Sequence, residues 1–132
     1  MKKIAWIVDT TATLEEDFVK ENDINVVSLN IMFGEENFKE NVEITADEFY
    51  QRMRTDKQMP TTSQPALGDF VNLYENLKEE YEFGIAIHAS SVLSGTYSSS
   101  VQAAEMAGFK LLATSSPKAF SFTLAINSFT TI

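Results

Sequence analysis

Residues 83–114 read FGIAIHASSVLSGTYSSSVQAAEMAGFKLLAT. The stretch changes period twice. FGIAIHA is a short continuous apolar run, the pattern of a strand buried on both faces. TYSSSVQAAEMA reads as a helix that ends at Gly108, the residue type that most readily takes the left-handed turn closing a helix. FKLLAT is strand-like again. Strand, helix, strand in succession predicts a parallel sheet with helices packed on it.

The alternation continues outward. In PALGDFVNLYENLKEE, residues 65–80, Pro65 suits the first turn of a helix, where a missing N–H costs nothing. Phe70, Leu73, Tyr74 and Leu77 then mark one buried helical face. Near the start, KKIAWIVD (residues 2–9) reads as a buried strand, and Thr13 with Glu16 has capping-box spacing for a helix reaching about Glu21. INVVSLNIMF, residues 24–33, is rich in β-branched residues and predicts a second strand; FGEENFKEN turns at Gly34 and returns as a short hairpin arm. A second capping box, Thr45 with Glu48, opens ADEFYQRMR. The predicted class is α/β, a mainly parallel sheet with helices on both faces, in one domain.

Composition narrows the function. The chain has 132 residues, 44% of them hydrophobic, which is enough for a globular core. No apolar run reaches the length of a membrane span, and the apolar segment after Lys2 and Lys3 ends at Asp9, too short for a signal peptide. Without cysteine there is no disulfide or thiolate site, as fits a reducing cytoplasm. A net charge of −9 opposes nucleic acid and anionic lipid, so neither a nucleic-acid partner nor stable membrane insertion is expected.

Two runs of neutral hydroxyls stand out, TTSQP at 61–65 and SSVLSGTY at 90–97. Each leads towards a predicted helix start, and the second follows a strand. Ligands of open parallel sheets bind beyond the carboxyl ends of the strands. Helix N-termini there offer free N–H groups and partial positive charge, so the runs suit an anion such as a phosphate or a carboxylate. Plain helix capping is the alternative, although one hydroxyl per helix suffices for it. Asp9, at the end of the first strand, is either ligand-facing or a turn cap. His88 is the single histidine, and with no carboxylate near it in sequence a core or loop role is favoured over a catalytic base. There is no lysine at a P-loop position and no GxSxG elbow.

The segments DTTATL (9–14), SLNIMFGEENFKENVEITADEFYQRM (28–53), MPTTSQPALGDFVNLYENL (59–77) and IHASSVLSGTYSSSVQAAE (87–105) occur in an order and at separations that identify a family. Over Ile4 to Met106 the chain resembles the DegV family of bacterial fatty-acid-binding proteins. The resemblance implies an α/β first domain and a bound long-chain fatty acid. It implies that Thr62 and Ser94 hold the carboxylate, with Asp9, Thr61, Ser63, Gly95 and Thr96 in support. It implies a carrier, not an enzyme, with no cofactor, metal or catalytic residue, that presents its acyl carboxylate to a fatty acid kinase. Two departures accompany it. Thr10 stands where a serine is expected. Family members usually carry a second domain, with the acyl chain between the two, so residues 1–132 are expected to be a truncated N-terminal domain that diverges from about residue 114. An exposed apolar patch of Ile31, Phe33, Val92 and Leu93 is then expected beside the hydroxyl loops. The alternatives are a non-binding fragment and a hydrolase built on Ser94.

Overall fold

The computed structural model describes residues 2–10, 14–55, 59–89 and 94–116. Its elements are β1 Lys2–Asp9, α1 Glu16–Glu21, β2 Ile24–Val27, β3 Asn30–Phe33, β4 Glu36–Lys39, α2 Ala46–Thr55, β5 Thr61–Ser63, α3 Leu67–Leu77, β6 Tyr81–Ala89, α4 Ser94–Ala107 and β7 Leu111–Ser116. Four strands form a parallel sheet in the order β2-β1-β6-β7. The α/β class and the parallel sheet therefore match the sequence pattern.

Side-chain alternation along β1 sorts the two faces. Ala5 and Ile7 point to the side covered by α3 and α4, where Phe70, Tyr74, Leu77, Ala103 and Ala107 complete the larger core. Trp6 and Val8 point to the other side, under Phe18 and Val19 of α1. Helices thus cover both faces. Space on the first face comes from small residues. A Cβ on Gly84 would stand 2.6 Å from Cε2 of Phe109 and 3.0 Å from Cδ1 of Ile7. That ring is itself stacked on Tyr74, with centroids 5.6 Å apart.

The expected continuous strand over 24–33 is two strands in two sheets. β3 pairs antiparallel with β4 and with β5, making a separate three-stranded sheet in the order β4-β3-β5. The break has a local cause at Ser28 and Leu29. Thr10 donates its N–H to the Val27 carbonyl, and its Oγ1 accepts the Leu29 N–H at 3.0 Å. That hydroxyl donates in turn to Oε2 of Glu40 at 2.6 Å. The Leu29 amide is taken by a side chain instead of by a strand, and the chain turns out of the first sheet.

The hairpin at Gly34 forms as read, with a φ of 63° at the glycine. The small sheet packs on α2 through Ile31, Phe33 and Ile44, with Phe38 and Phe49 against them. Ile31 and Phe33 are each 4% exposed, so they are not part of a surface patch. Period two along β3 turns them inward, and Met32 faces out instead. Val92 and Leu93 lie outside the described residues. Arg52 of α2 closes this layer, with its guanidinium 4.5 Å from the Phe33 ring centroid and both of its terminal nitrogens on the Glu36 carboxylate.

Helix starts agree in part. Thr45 caps α2 as its spacing to Glu48 predicts: the Glu48 N–H donates to Thr45 Oγ1, and that hydroxyl donates to Glu48 Oε1. α1 starts at Glu16 behind Glu15, which makes no side-chain cap bond; Thr13 lies outside the described residues. Pro65 precedes the N-cap Ala66 of α3, two positions before the first helical residue Leu67, and is buried there. Among the described residues no helix is long and apolar enough to cross a membrane.

Gly84→Ala has no room unless Phe109 leaves its stack on Tyr74. It should lower stability by about 1–3 kcal/mol, the usual cost of overpacking, read as a fall in the urea midpoint at unchanged slope.

Candidate functional site

Parallel pairing puts the carboxyl ends of β1 and β6 on one edge of the sheet. β1 ends there at Asp9 and β6 at Ala89, with Val8 opposite Ile87. α4 starts from this edge at Ser94.

Just below the edge lies a buried polar pair. Oδ2 of Asp9 is 2.9 Å from Nδ1 of His88, and both side chains are 0% exposed. The residues are 79 positions apart in sequence, so nothing local links them. The register of β1 on β6 sets them side by side. Both follow core residues of the α3–α4 face, Ile7 and Ala86, by two positions, so both point into that layer. The missed signal was two buried strands, each ending its apolar run in one titratable residue. Phe70 of α3 meets the imidazole edge-on, with centroids 5.7 Å apart.

Thr96, in the first turn of α4, is also fully buried. Its Oγ1 and the Nε2 of His88 are buried polar atoms without a hydrogen-bond partner. One turn further along α4, Ser100 bonds the Tyr74 hydroxyl at 2.5 Å. Burial pushes that phenol up to about 12, the hydrogen bond from Ser100 opposing it, so Tyr74 is neutral at any physiological pH.

The other hydroxyl run is not the expected loop. Thr61, Thr62 and Ser63 are β5, paired antiparallel with Met32, Ile31 and Asn30 of β3. Two β-branched threonines between Pro60 and Pro65 suit a short edge strand. Thr61 and Thr62 are exposed and Ser63 is half-buried. Thr62 borders a cavity of about 140 Å³ whose apolar walls include Ile31, Ile44, Phe49 and Tyr50. A wider cleft of about 620 Å³ lies beside it, lined by Thr10, Leu14, Val19 and Val26, and Glu40 and Asn41 border both.

Gln64 joins the two runs. Its carbonyl accepts from Asn30 Nδ2 at 3.3 Å, and its Nε2 donates to Ser99 Oγ of α4 at 3.0 Å. The amide lies directly on Gly95, where a Cβ would come within 1.8 Å of Gln64 Oε1. Glycine at 95 is therefore what lets the β5 segment seat on the first turn of α4. The structure brings the TTSQ and SGTYSS runs together through this contact, at the carboxyl edge of the sheet. Ser94 is the first residue of α4, and residues 90–93 before it lie outside the described residues.

These parts supply hydroxyls, backbone N–H groups at the start of a 14-residue helix and adjoining apolar walls. They can hold a small anionic group joined to a hydrocarbon.

The family model of the DegV family matches residues 3–124. A DegV domain-containing protein of Halalkalibacterium halodurans is 46% identical over 107 residues, which are 80% of this chain and 38% of that protein. The crystal structure of DegV, a fatty acid binding protein from Bacillus subtilis, superposes with a TM-score of 0.75 at 34% identity, over 89% of this chain and 41% of that one. A DegV lipid binding protein from Thermotoga maritima gives a TM-score of 0.82 at 27% identity, over 98% of this chain and 49% of that one. The chain thus spans about 38–49% of the length of these relatives.

Gly95→Ala should displace the Gln64 amide and break its bond to Ser99. The lost bond costs about 1 kcal/mol, and alanine in a helix returns at most about as much, so global stability should hardly change. Local coupling should change instead: amide exchange at Thr61–Ser63 should speed up in the variant, which hydrogen-exchange mass spectrometry can follow.

Proposed function

Since the chain belongs to the DegV family, we propose that it binds a long-chain fatty acid, with Thr62 and Ser94 holding the carboxylate and Asp9, Thr61, Ser63, Gly95 and Thr96 supporting them. The observation that carries this reading is the seating of β5 on the N-terminus of α4 through Gln64 and Gly95, which joins two hydroxyl-rich motifs at the ligand edge of a parallel sheet.

The physics of the ligand fits such a site. Each methylene taken out of water contributes about 0.8 kcal/mol, so the acyl chain drives binding and needs apolar walls. The carboxylate loses water at the same time and needs donors in its place. Hydroxyls and helix N–H groups donate without adding side-chain charge. A lysine or arginine clamp would cover the oxygens that an acyl-phosphate-forming kinase must reach. In this proposal residues 1–132 act as the N-terminal α/β part of a carrier, working inside the cell and presenting the carboxylate to a fatty acid kinase.

A Ser94-dependent hydrolase is the second reading, and the Asp9–His88 pair is the observation that favours it, since a serine nucleophile needs an adjacent base. The full burial of His88 weighs against it. Turnover of a p-nitrophenyl acyl ester that is lost in Ser94→Ala would establish it.

A titration with oleate should show saturable binding when a second domain completes the apolar wall, and weak or no binding by residues 1–132 alone. Thr62→Ala combined with Ser94→Ala should weaken that binding by about 2–4 kcal/mol, from two charge-assisted hydrogen bonds that do not add fully. Unchanged oleate affinity in the double variant would remove both residues from the site.

A further inference from the structure

β2 ends the parallel sheet on one side. Val27 gives its carbonyl to the Thr10 N–H, on the β1 side. Backbone polar groups alternate in direction along a strand, so the N–H and C=O of Ile24 and Val26 point outward, away from β1. Open edges of this kind are commonly blunted by charge or proline. In the small sheet, β4 carries Glu36 and Lys39, and β5 lies between Pro60 and Pro65. β2, with the sequence INVV, has neither, and Val26 is 43% exposed.

Hollows flank this edge on both faces of the sheet. Val26 shares the α1 face with Ile24, and there it borders the cleft of about 620 Å³ with Leu14 and Val19. Val27 turns to the α3 face, where a hollow of about 240 Å³ runs between it, Leu73 and the exposed Val42. Val26 borders this second hollow as well, so the two meet at its outward-facing backbone. A third hollow, of about 430 Å³, continues along Ile24 and Asn25 at the amino end of the strand. An extended chain laid beside β2 would send alternate side chains to the two faces, and so into hollows on both.

Charge names the occupant. Among the described residues, Glu16 and Glu40 border the cleft on the α1 face, and Asp23 and Glu80 border the hollow at the amino end. The lysines beside them already stand against carboxylates: Lys20 is 3.0 Å from Glu16, and Lys39 is 3.3 Å from Asp69. A negative surplus remains, on a chain of net charge −9. A second copy of the chain would bring the same acids to the same edge, which like charge opposes. We propose that the β2 edge takes an extended segment of a partner protein as one more strand, with apolar residues alternating with lysine or arginine. Its apolar side chains enter the hollow on the α3 face. Its basic side chains lie along Leu14 and Val19 and bring their charge to Glu40. Main-chain hydrogen bonds hold such a strand, and the hollows select its side chains.

The test is amide exchange by NMR on the full ¹⁵N-labelled chain, with the capped peptide KVKVKV as probe and EVEVEV as its like-charged control. KVKVKV should slow exchange at Ile24 and Val26 and hardly change it at Asn25 and Val27, whose amides already face β1. High salt should weaken the binding, and EVEVEV should have no effect. Val26→Pro removes one outward donor at a position where an edge strand tolerates proline. It should melt near the parent temperature and bind KVKVKV about tenfold more weakly, the worth of one hydrogen bond. Val26→Lys keeps the donor, adds a like charge facing the peptide lysines, and should weaken binding too. No binding of KVKVKV, binding that leaves the Ile24 and Val26 amides unchanged, or equal binding by both variants overturns the proposal. Amides protected without peptide and released on dilution assign the edge to a second copy and overturn it as well. Amides already protected when the chain is extended by a second domain assign the edge to that domain, with the same consequence.

Discussion

Parallel pairing of β1 with β6 is the constraint on which the rest of the structure depends. Two neighbouring parallel strands place their carboxyl ends on the same edge, whatever lies between them in sequence. Their intervening chain must cross over a face, and α3 and α4 cover that face. The sheet is then buried on both sides, which explains why IAWIV and IAI read as unbroken apolar runs. It also explains why polar residues gather where those runs stop. Asp9 and His88 meet only because the register aligns Val8 with Ile87.

The layer between the sheet and α3–α4 works by contrast of size. Ala5, Gly84, Ala86, Ala103, Ala104 and Ala107 contribute little volume, and Phe70, Tyr74 and Phe109 fill what they leave. Bulk thus runs through this layer, with Phe70 reaching the His88 ring near the carboxyl edge, where small polar groups join it. Thr96, Ser99 and Ser100 occupy successive turns of the same helix whose far end is alanine-rich. One helix therefore serves as apolar core at its C-terminus and presents buried hydroxyls near its N-terminus. The second sheet is tied on from outside by Lys39 to Asp69 of α3 at 3.3 Å, and within it Asn30 of β3 holds the Gln64 carbonyl that follows β5. Those ties hold β5 where Gln64 can reach α4.

Much of the fold was legible because its signals are local. Periodicity marked α3, the Thr45–Glu48 spacing marked α2, and Gly108 closed α4 with a φ of 73°. What escaped was non-local. The break at Ser28–Leu29 depends on Thr10, nineteen positions from the amide it binds, and no pattern within 24–33 records it. TTS looked like a loop because three small polar residues between prolines carry no apolar face; it becomes a strand only because β3 offers a free edge. The candidate site divides along the same line. The hydroxyl runs were visible as runs, whereas the roles of Gln64, Gly95 and His88 depend on which helix or strand lies opposite.

Two unpaired buried polar atoms are a burden for a chain of this size. Leaving a buried donor or acceptor unsatisfied costs about 1–3 kcal/mol, while the whole fold of a small domain is stable by only about 5–15 kcal/mol. Both orphans could be removed without loss of packing: valine matches Thr96 in shape, and an apolar side chain fills the place of His88. Native interiors seldom keep such atoms without use, and the two that are kept here occupy one layer, at one edge, under one helix N-terminus. His88 has a reason within the fold itself, because its other ring nitrogen bonds the buried Asp9 carboxylate, and removing one member of a buried pair is costly.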